Sequence, residues 1–178
     1  MRGEETLHVT MAAAKPPVMN DHQTATWAIQ HRGTNDGSDA RVMRAGVSNE
    51  PIDMAQLIAE VNDDSAGAVV SFCGQVRNHD DARAVTAIDY EAHPDANVVV
   101  EQIVRQVAAG SGACKIAIVH RAGHLDIGDI ALGAAVSASH RKEAFRVLEA
   151  AVEQVKMQLP VWKRQEFEDG SHEWTGSA

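Results

Sequence analysis

Four cationic positions along the chain could do chemistry: His140-Arg141, Lys156, Lys163-Arg164 and Arg77. Ser139-His140-Arg141 stands where the longest helical spacing begins. Unpaired backbone N–H groups and the positive end of the helix dipole make an anion pocket at such a place. Arg141 adds a bidentate fork for phosphate or carboxylate, and His140 a further donor. Lys156 lies near the other end of that helix, one residue off its apolar stripe. Partial desolvation at the rim of a core would free its amine for nucleophilic or acid–base work. Pro160-Val161-Trp162-Lys163-Arg164 follows, and strand alternation sends Trp162 and Arg164 to one face and Lys163 to the other. Arg77 ends an earlier strand beside the polar turn Asn78-His79-Asp80-Asp81. Each feature has an ordinary structural counterpart: a capped helix with solvated side chains, a snorkelling lysine, a charged strand end.

Other chemistries are less well supported. Cys73 reads as a small buried hydrophobe, and Cys73 and Cys114 form no C-x-x-C, so neither a disulfide scaffold nor a zinc ribbon is indicated. A reducing, cytoplasmic setting is the expectation. His79, His93, His120, His124 and His140 occupy no H-E-x-x-H motif and read as structural or surface residues, so no metal site is expected. Gly67, Gly74 and Gly128 build no G-x-G-x-x-G or Walker loop, and no cofactor is implied. Asp80-Asp81 reads as a solvated turn.

The elements that must hold these residues follow from periodicity. A short helix is expected over 53–61, with Leu57, Ile58 and Val61 on one side. A strand over 67–77 carries Gly74, a residue that marks a bulge or a close backbone approach. A second strand over 85–92 pairs antiparallel with the first, given the short link. Pro94 opens a helix in which Val99, Ile103 and Val107 keep the helical spacing, and Gly110-Ser111-Gly112 stops it. Strands over 115–121 and 130–136 follow, joined by a glycine-containing connection. Ser139 caps the longest helix, with a core stripe of Phe145, Leu148, Val152, Val155 and Leu159, and Pro160 ends it. A hairpin over 161–167 and 172–175 closes the chain. The order α-ββ-α-ββ-α-ββ is that of an α+β protein with a mainly antiparallel sheet and three helices.

The 178 residues suit one domain, taken as residues 42–178. Residues 1–41 lack periodicity and read as a disordered or loosely attached extension, with Met43 as an alternative start. The 16 basic and 25 acidic residues leave a net charge of −9, which argues against a general nucleic-acid binder, and no apolar run is long enough for a membrane span. From Arg141 to Arg164, however, six basic residues face three acids, a local excess of +3. Setting aside residues 1–41 (four basic, five acidic) leaves the domain at −8, so the cationic cluster stands in an acidic background.

The segments Gly67-Ala-Val-Val-Ser-Phe-Cys-Gly-Gln-Val-Arg-Asn-His79, Ile118-Val-His-Arg-Ala-Gly-His-Leu-Asp-Ile-Gly-Asp129, Ser137-Ala-Ser-His-Arg-Lys-Glu-Ala-Phe145 and Lys156-Met-Gln-Leu-Pro-Val-Trp-Lys-Arg164 occur in that order. Together they resemble the large, catalytic subunit of molybdopterin synthase, over about Arg44 to Trp174. The blocks S-A-x-H-R-x-x-A-F and K-x-x-x-P-x-W-K carry the most specificity. The resemblance implies an α/β-hammerhead-like fold and a sulfur transferase of molybdenum cofactor biosynthesis. Such an enzyme converts cyclic pyranopterin monophosphate to molybdopterin. The sulfur arrives as a thiocarboxylate on the C-terminal Gly-Gly of a small ubiquitin-like partner, in a heterotetramer built around a homodimer of the large subunit. By the same resemblance, Lys156 is the lysine beside the thiocarboxylate and Lys163 the second lysine of the pocket. Arg77, His140 and Arg141 would contact the pterin phosphate, with Gln75, Val76, Arg164 and Gln165 at flanking binding positions. Many members have Glu where this chain has Gln165, and longer members carry a basic tail beyond the position of Ala178. The alternative reading is a non-catalytic module that binds an anion or a carboxylate tail, or an assembly subunit; the presence of both lysines favours the enzyme.

Overall fold

Apolar residues that run almost unbroken, as over 116–119 and 130–136, need cover on both faces of a sheet. The computed structural model, which describes residues 39–176, provides that cover. Its elements are β1 (Arg41–Ser48), α1 (Met54–Glu60), β2 (Ala68–Gln75), β3 (His79–Asp80), β4 (Arg83–Ala92), α2 (Ala96–Ala108), β5 (Ala113–Arg121), β6 (Gly123–Asp126), β7 (Ile130–Ala138), α3 (Arg141–Gln158), β8 (Val161–Phe167) and β9 (His172–Gly176). The first sheet has the order β1-β5-β7-β2. Alternate residues of β5 and β7 point to opposite sides. Ile116, Ile118, Ala134 and Val136 enter the main core under α2 and α3, while Ala117, Val119 and Ala135 meet Leu57 and Val61 at α1. Each large side chain so buried contributes about 1.5–3 kcal/mol.

The second sheet has the order β3-β4-β8-β9, with β6 on β4. This corrects the expected pairing of β4 with β2. The tight turn at Asp81 (φ 43°) and Ala82 (φ 65°) folds β4 back on the two-residue β3 instead, and β4 then pairs with β8 and β6. Antiparallel β2 pairs with β7, and its register shifts between Gly74 and Gln75, beside the glycine expected to mark a bulge. The chain leaves the first sheet there and enters the second. The connection expected between β5 and β7 contains β6, whose Leu125 is fully buried.

β1 has no counterpart among the expected elements. It joins β5 as the parallel pair among otherwise antiparallel ones in the described residues, and its start takes in Arg41. Asp39 and Ala40 are tied to the end of α2, where Gly110 N–H donates to Asp39 and Ala40 N–H to the Ala108 carbonyl. The folded unit therefore reaches back at least to residue 39, and residues 1–38 of the expected extension lie outside the described residues.

Helix boundaries follow local chemistry with two exceptions. Asp53 caps α1 by accepting from Gln56 N–H, and α3 ends where Leu159 stands extended before Pro160. The first exception is α2, which begins at Ala96 behind Asp95, so Pro94 precedes the helix rather than opening it. The second is α3, which Ser139 does not cap. His140 is the N-cap residue, without a side-chain cap bond, and the Ser139 hydroxyl lies 3.5 Å from the Ser65 carbonyl. The expected stripe also shifts: Phe145 is 60% exposed, and Ala144, Val147, Leu148, Ala151, Val152 and Val155 face the core. Small Ala144 and Ala151 let the helix approach the sheet closely.

That approach is tightest at Gly67, where an added Cβ would stand 2.6 Å from the Ser139 carbonyl oxygen. Backbone cannot swing aside as a side-chain tip can. Gly67→Ala is expected to cost about 1–3 kcal/mol, read as a fall of several degrees in the thermal unfolding midpoint.

Candidate active site

A cavity of about 290 Å³ opens where the end of β2 and the start of β7 meet the second sheet and the last turn of α3. It collects Gln75, Val76, Arg77, Lys156, Lys163 and Gln165 from the sequence-derived candidates. Two other clefts, of about 380 and 310 Å³, lie along β1. Their arginines are committed to neighbours, Arg44 to Glu60 and Arg105 to Glu101, so they hold less convergent chemistry.

Backbone hydrogen bonds set the β2 side of the cavity. Val76 N–H donates to the Asp129 carbonyl at 2.9 Å, and Gly128 N–H donates to the Val76 carbonyl at 2.8 Å. The Gln75 side-chain amide donates to the Gly128 carbonyl at 2.9 Å. Cross-strand register sets the other wall: Tyr90 stands opposite Lys163, and Ile88 opposite Gln165. Alternation on β8 then turns Arg164 to the far face, where it meets Asp89 at 3.3 Å and Glu166 at 3.1 Å. Arg164 does not line the cavity.

Lys156 projects from the last turn of α3 and is exposed, not partly desolvated as expected. Lys163 is half-buried, with its Nζ 3.8 Å from Asp80. Arg77 reaches the same carboxylate at 2.6 Å. Hydrogen bonding from Gln165, then from Arg77, with the charge of Lys163 added, holds the Asp80 carboxyl below its ordinary value. Asp80 is therefore a cavity residue and not the solvated turn expected of it. No pattern in the sequence marks it, because the β3–β4 hairpin decides where it points.

His120 and Tyr90 also line the cavity. Burial pushes the His120 imidazole down to about 4, the Lys156 charge adds to this, and the bond to the Arg121 carbonyl opposes it. That carbonyl only accepts, so Nδ1 carries the proton and Nε2 keeps a lone pair. Tyr90 packs edge-on against the ring at 4.9 Å and is itself pushed up to about 12 by burial. The alternation of Ile116, Ile118 and His120 is a usable signal for this placement. His124, four residues on, belongs to β6 and bonds Asp89 at 3.0 Å. No group of three or more His, Cys, Asp or Glu able to hold a metal occurs among the described residues.

His140 and Arg141 stand exposed at the other end of α3, about 22 Å from Lys156 along the axis at ~1.5 Å per residue. Within one chain they do not join the cavity. Cys73, expected to be buried, is exposed on β2.

Residues 47–158 match the family described as MoaE protein. The chain is 36% identical over 134 residues to the molybdopterin synthase catalytic subunit of Bacillus subtilis, covering 75% of this chain and 85% of that one. It is 33% identical over 137 residues to molybdopterin synthase catalytic subunit 1 of Mycobacterium tuberculosis, covering 73% and 88%. Its fold is similar to the crystal structure of molybdopterin synthase from Staphylococcus aureus, with a TM-score of 0.68, 36% identity, and coverage of 74% and 96%.

The buried histidine gives the site a pH signature. Its ordinary value of 6.5 falls to about 4 in the native state, so between those values the unfolded chain binds a proton that the native one refuses. Stability from this group is complete above pH 6.5 and is lost as pH falls toward 4. Asp63, Asp80 and Asp169, all lowered, act below 3.8, and His124, raised, acts above 6.5 with the opposite sign. Urea unfolding of a His120→Phe variant is expected to lose a pH-dependent component on the order of 3 kcal/mol in this window.

Proposed function

Because the chain belongs to the MoaE protein family, we propose that it is the catalytic subunit of a molybdopterin synthase, a sulfur transferase of molybdenum cofactor biosynthesis. The observation that supports this most directly is two lysines from different elements, Lys156 and Lys163, lining one cavity with Arg77. The substrate is cyclic pyranopterin monophosphate. The sulfur donor is the C-terminal thiocarboxylate of a small ubiquitin-like subunit, and a homodimer of this chain forms the centre of a heterotetramer. No helix of the described residues is long and apolar enough to cross a membrane. The free cysteines Cys73 and Cys114 fit a reducing, cytoplasmic setting for the reaction.

The thiocarboxylate sulfur displaces an oxygen from a pterin side-chain carbon: the C–S bond forms as that C–O bond breaks, the oxygen takes up a proton as it leaves, and the tail is joined to the pterin through an acyl–sulfur linkage. That acyl C–S bond then breaks. The sulfur stays on the pterin, and the acyl carbon passes to water and leaves as a carboxylate; a second charged tail supplies the second sulfur. Lys156 orients or attacks the acyl carbon, and Lys163 moves protons and stabilises the developing charge. Gln75, Val76, Arg77 and Gln165 bind the pterin phosphate and its surroundings. His140 and Arg141 serve as phosphate contacts where a second copy of the chain sets its α3 start against the cavity of the first. Arg164 keeps a role in holding β8 to β4 through Asp89.

The test mixes the protein with cyclic pyranopterin monophosphate and thiocarboxylated partner, and measures dithiolene pterin. Product formation supports the enzyme, whereas binding without product supports a non-catalytic module. Lys156→Ala and Lys163→Ala are each expected to lower the rate by about 100-fold or more; Lys156→Ala at the parental rate overturns its assignment.

A further inference from the structure

Among the described residues Asp80 is the one carboxylate that lines the cavity, against the three cations Arg77, Lys156 and Lys163. Its position is set by the β3–β4 hairpin, whose turn residues Asp81 and Ala82 both hold left-handed backbone without being glycine. Such conformations persist where the surrounding fold over-determines them. One Asp80 oxygen accepts from Arg77 at 2.6 Å, and the other lies 3.8 Å from Lys163 Nζ. Gln165, a residue only 4% exposed, adds a second hydrogen-bond donor from β8.

We propose that Asp80 is a positioning residue: its carboxylate holds Arg77 and Lys163 together on the hairpin side of the cavity, at the spacing the anionic substrate meets. The role rests on the sulfur-transfer reading. A carboxylate that accepts from Arg77 and Gln165 and lies beside the Lys163 ammonium is a weak base, so Asp80 does not take a proton from water. It acts instead as a counter-ion. Lys163 has a flexible four-carbon stem, and a fixed partner confines its ammonium to one part of the cavity. The same charge weakens the attraction of the cavity for anions. Turnover thus gains from a pair of cations that is ordered and partly neutralised.

Asp80→Asn keeps the shape and removes the charge. Inorganic phosphate, titrated calorimetrically at fixed ionic strength, is expected to bind this variant about threefold more tightly. Dithiolene formation at saturating pterin is expected to be about tenfold slower, with KM unchanged or lower. Asp80→Glu should recover at least part of the rate, and Asp80→Ser should reproduce the tighter phosphate binding. A purely structural role would raise KM and lower the unfolding midpoint together, and that result overturns the proposal. So does phosphate affinity that stays at the parental value in both uncharged variants. If the parental protein makes no dithiolene pterin, the sulfur-transfer reading fails, while the phosphate titration still decides whether Asp80 tempers the cations.

Discussion

The peptide of Val76 is held from both sides by the turn before β7, and the cavity depends on that clamp. Val76 donates to Asp129 and accepts from Gly128 at the point where the chain leaves one sheet for the other. Two backbone hydrogen bonds at this junction orient Gln75, Arg77 and the hairpin that follows. Without them β2 would end freely, and neither Arg77 nor Asp80 would have a fixed relation to the lysines. Gly128 suits the place because its φ of 90° is open to glycine at little cost.

Charge is arranged in layers around this junction. The chain as a whole is acidic, with 25 acids against 16 bases, yet three of the bases meet in one cavity. Beneath them lie groups that stay neutral through burial, His120 and Tyr90. A neutral floor under the cationic rim adds no counter-charge to that of Asp80, so the excess of cations acts on what enters. On the opposite face of the second sheet Arg164 is surrounded by Asp89 and Glu166, so neighbouring residues of β8 serve opposite electrostatic ends.

Residues are legible in the sequence where a single period governs them. Two-residue alternation separates Lys163 from Arg164, and it places His120 with Ile116 and Ile118. The helix stripe is less legible because alanines carry it: Ala144 and Ala151 matter by their small size, while the larger Phe145 fits the spacing and is exposed. Strand pairing departs from expectation where chain proximity does not make a partnership, since the link between β2 and β4 holds a hairpin of its own. β1 gives no clear signal because Arg41 and Arg44 interrupt its alternation; both reach acids near α1, Asp63 and Glu60. Asp80 is hidden for a different reason, since its environment is made by residues 77, 163 and 165, which only the folded chain brings together.

The length of α3 has a consequence for how this chain can vary. The chain that leads into its first turn passes close against Gly67 at Ser139, and its last turn carries Lys156. One residue inserted between them would rotate the lysine by about 100° and move it about 1.5 Å along the axis. The amine would leave the cavity although every residue type were kept. The β8–β9 turn has open space at Gly170, where a side chain would meet nothing. Substitution is therefore tolerable in volume there, whereas insertion or deletion in the helix is not, because its residue count is itself part of the site.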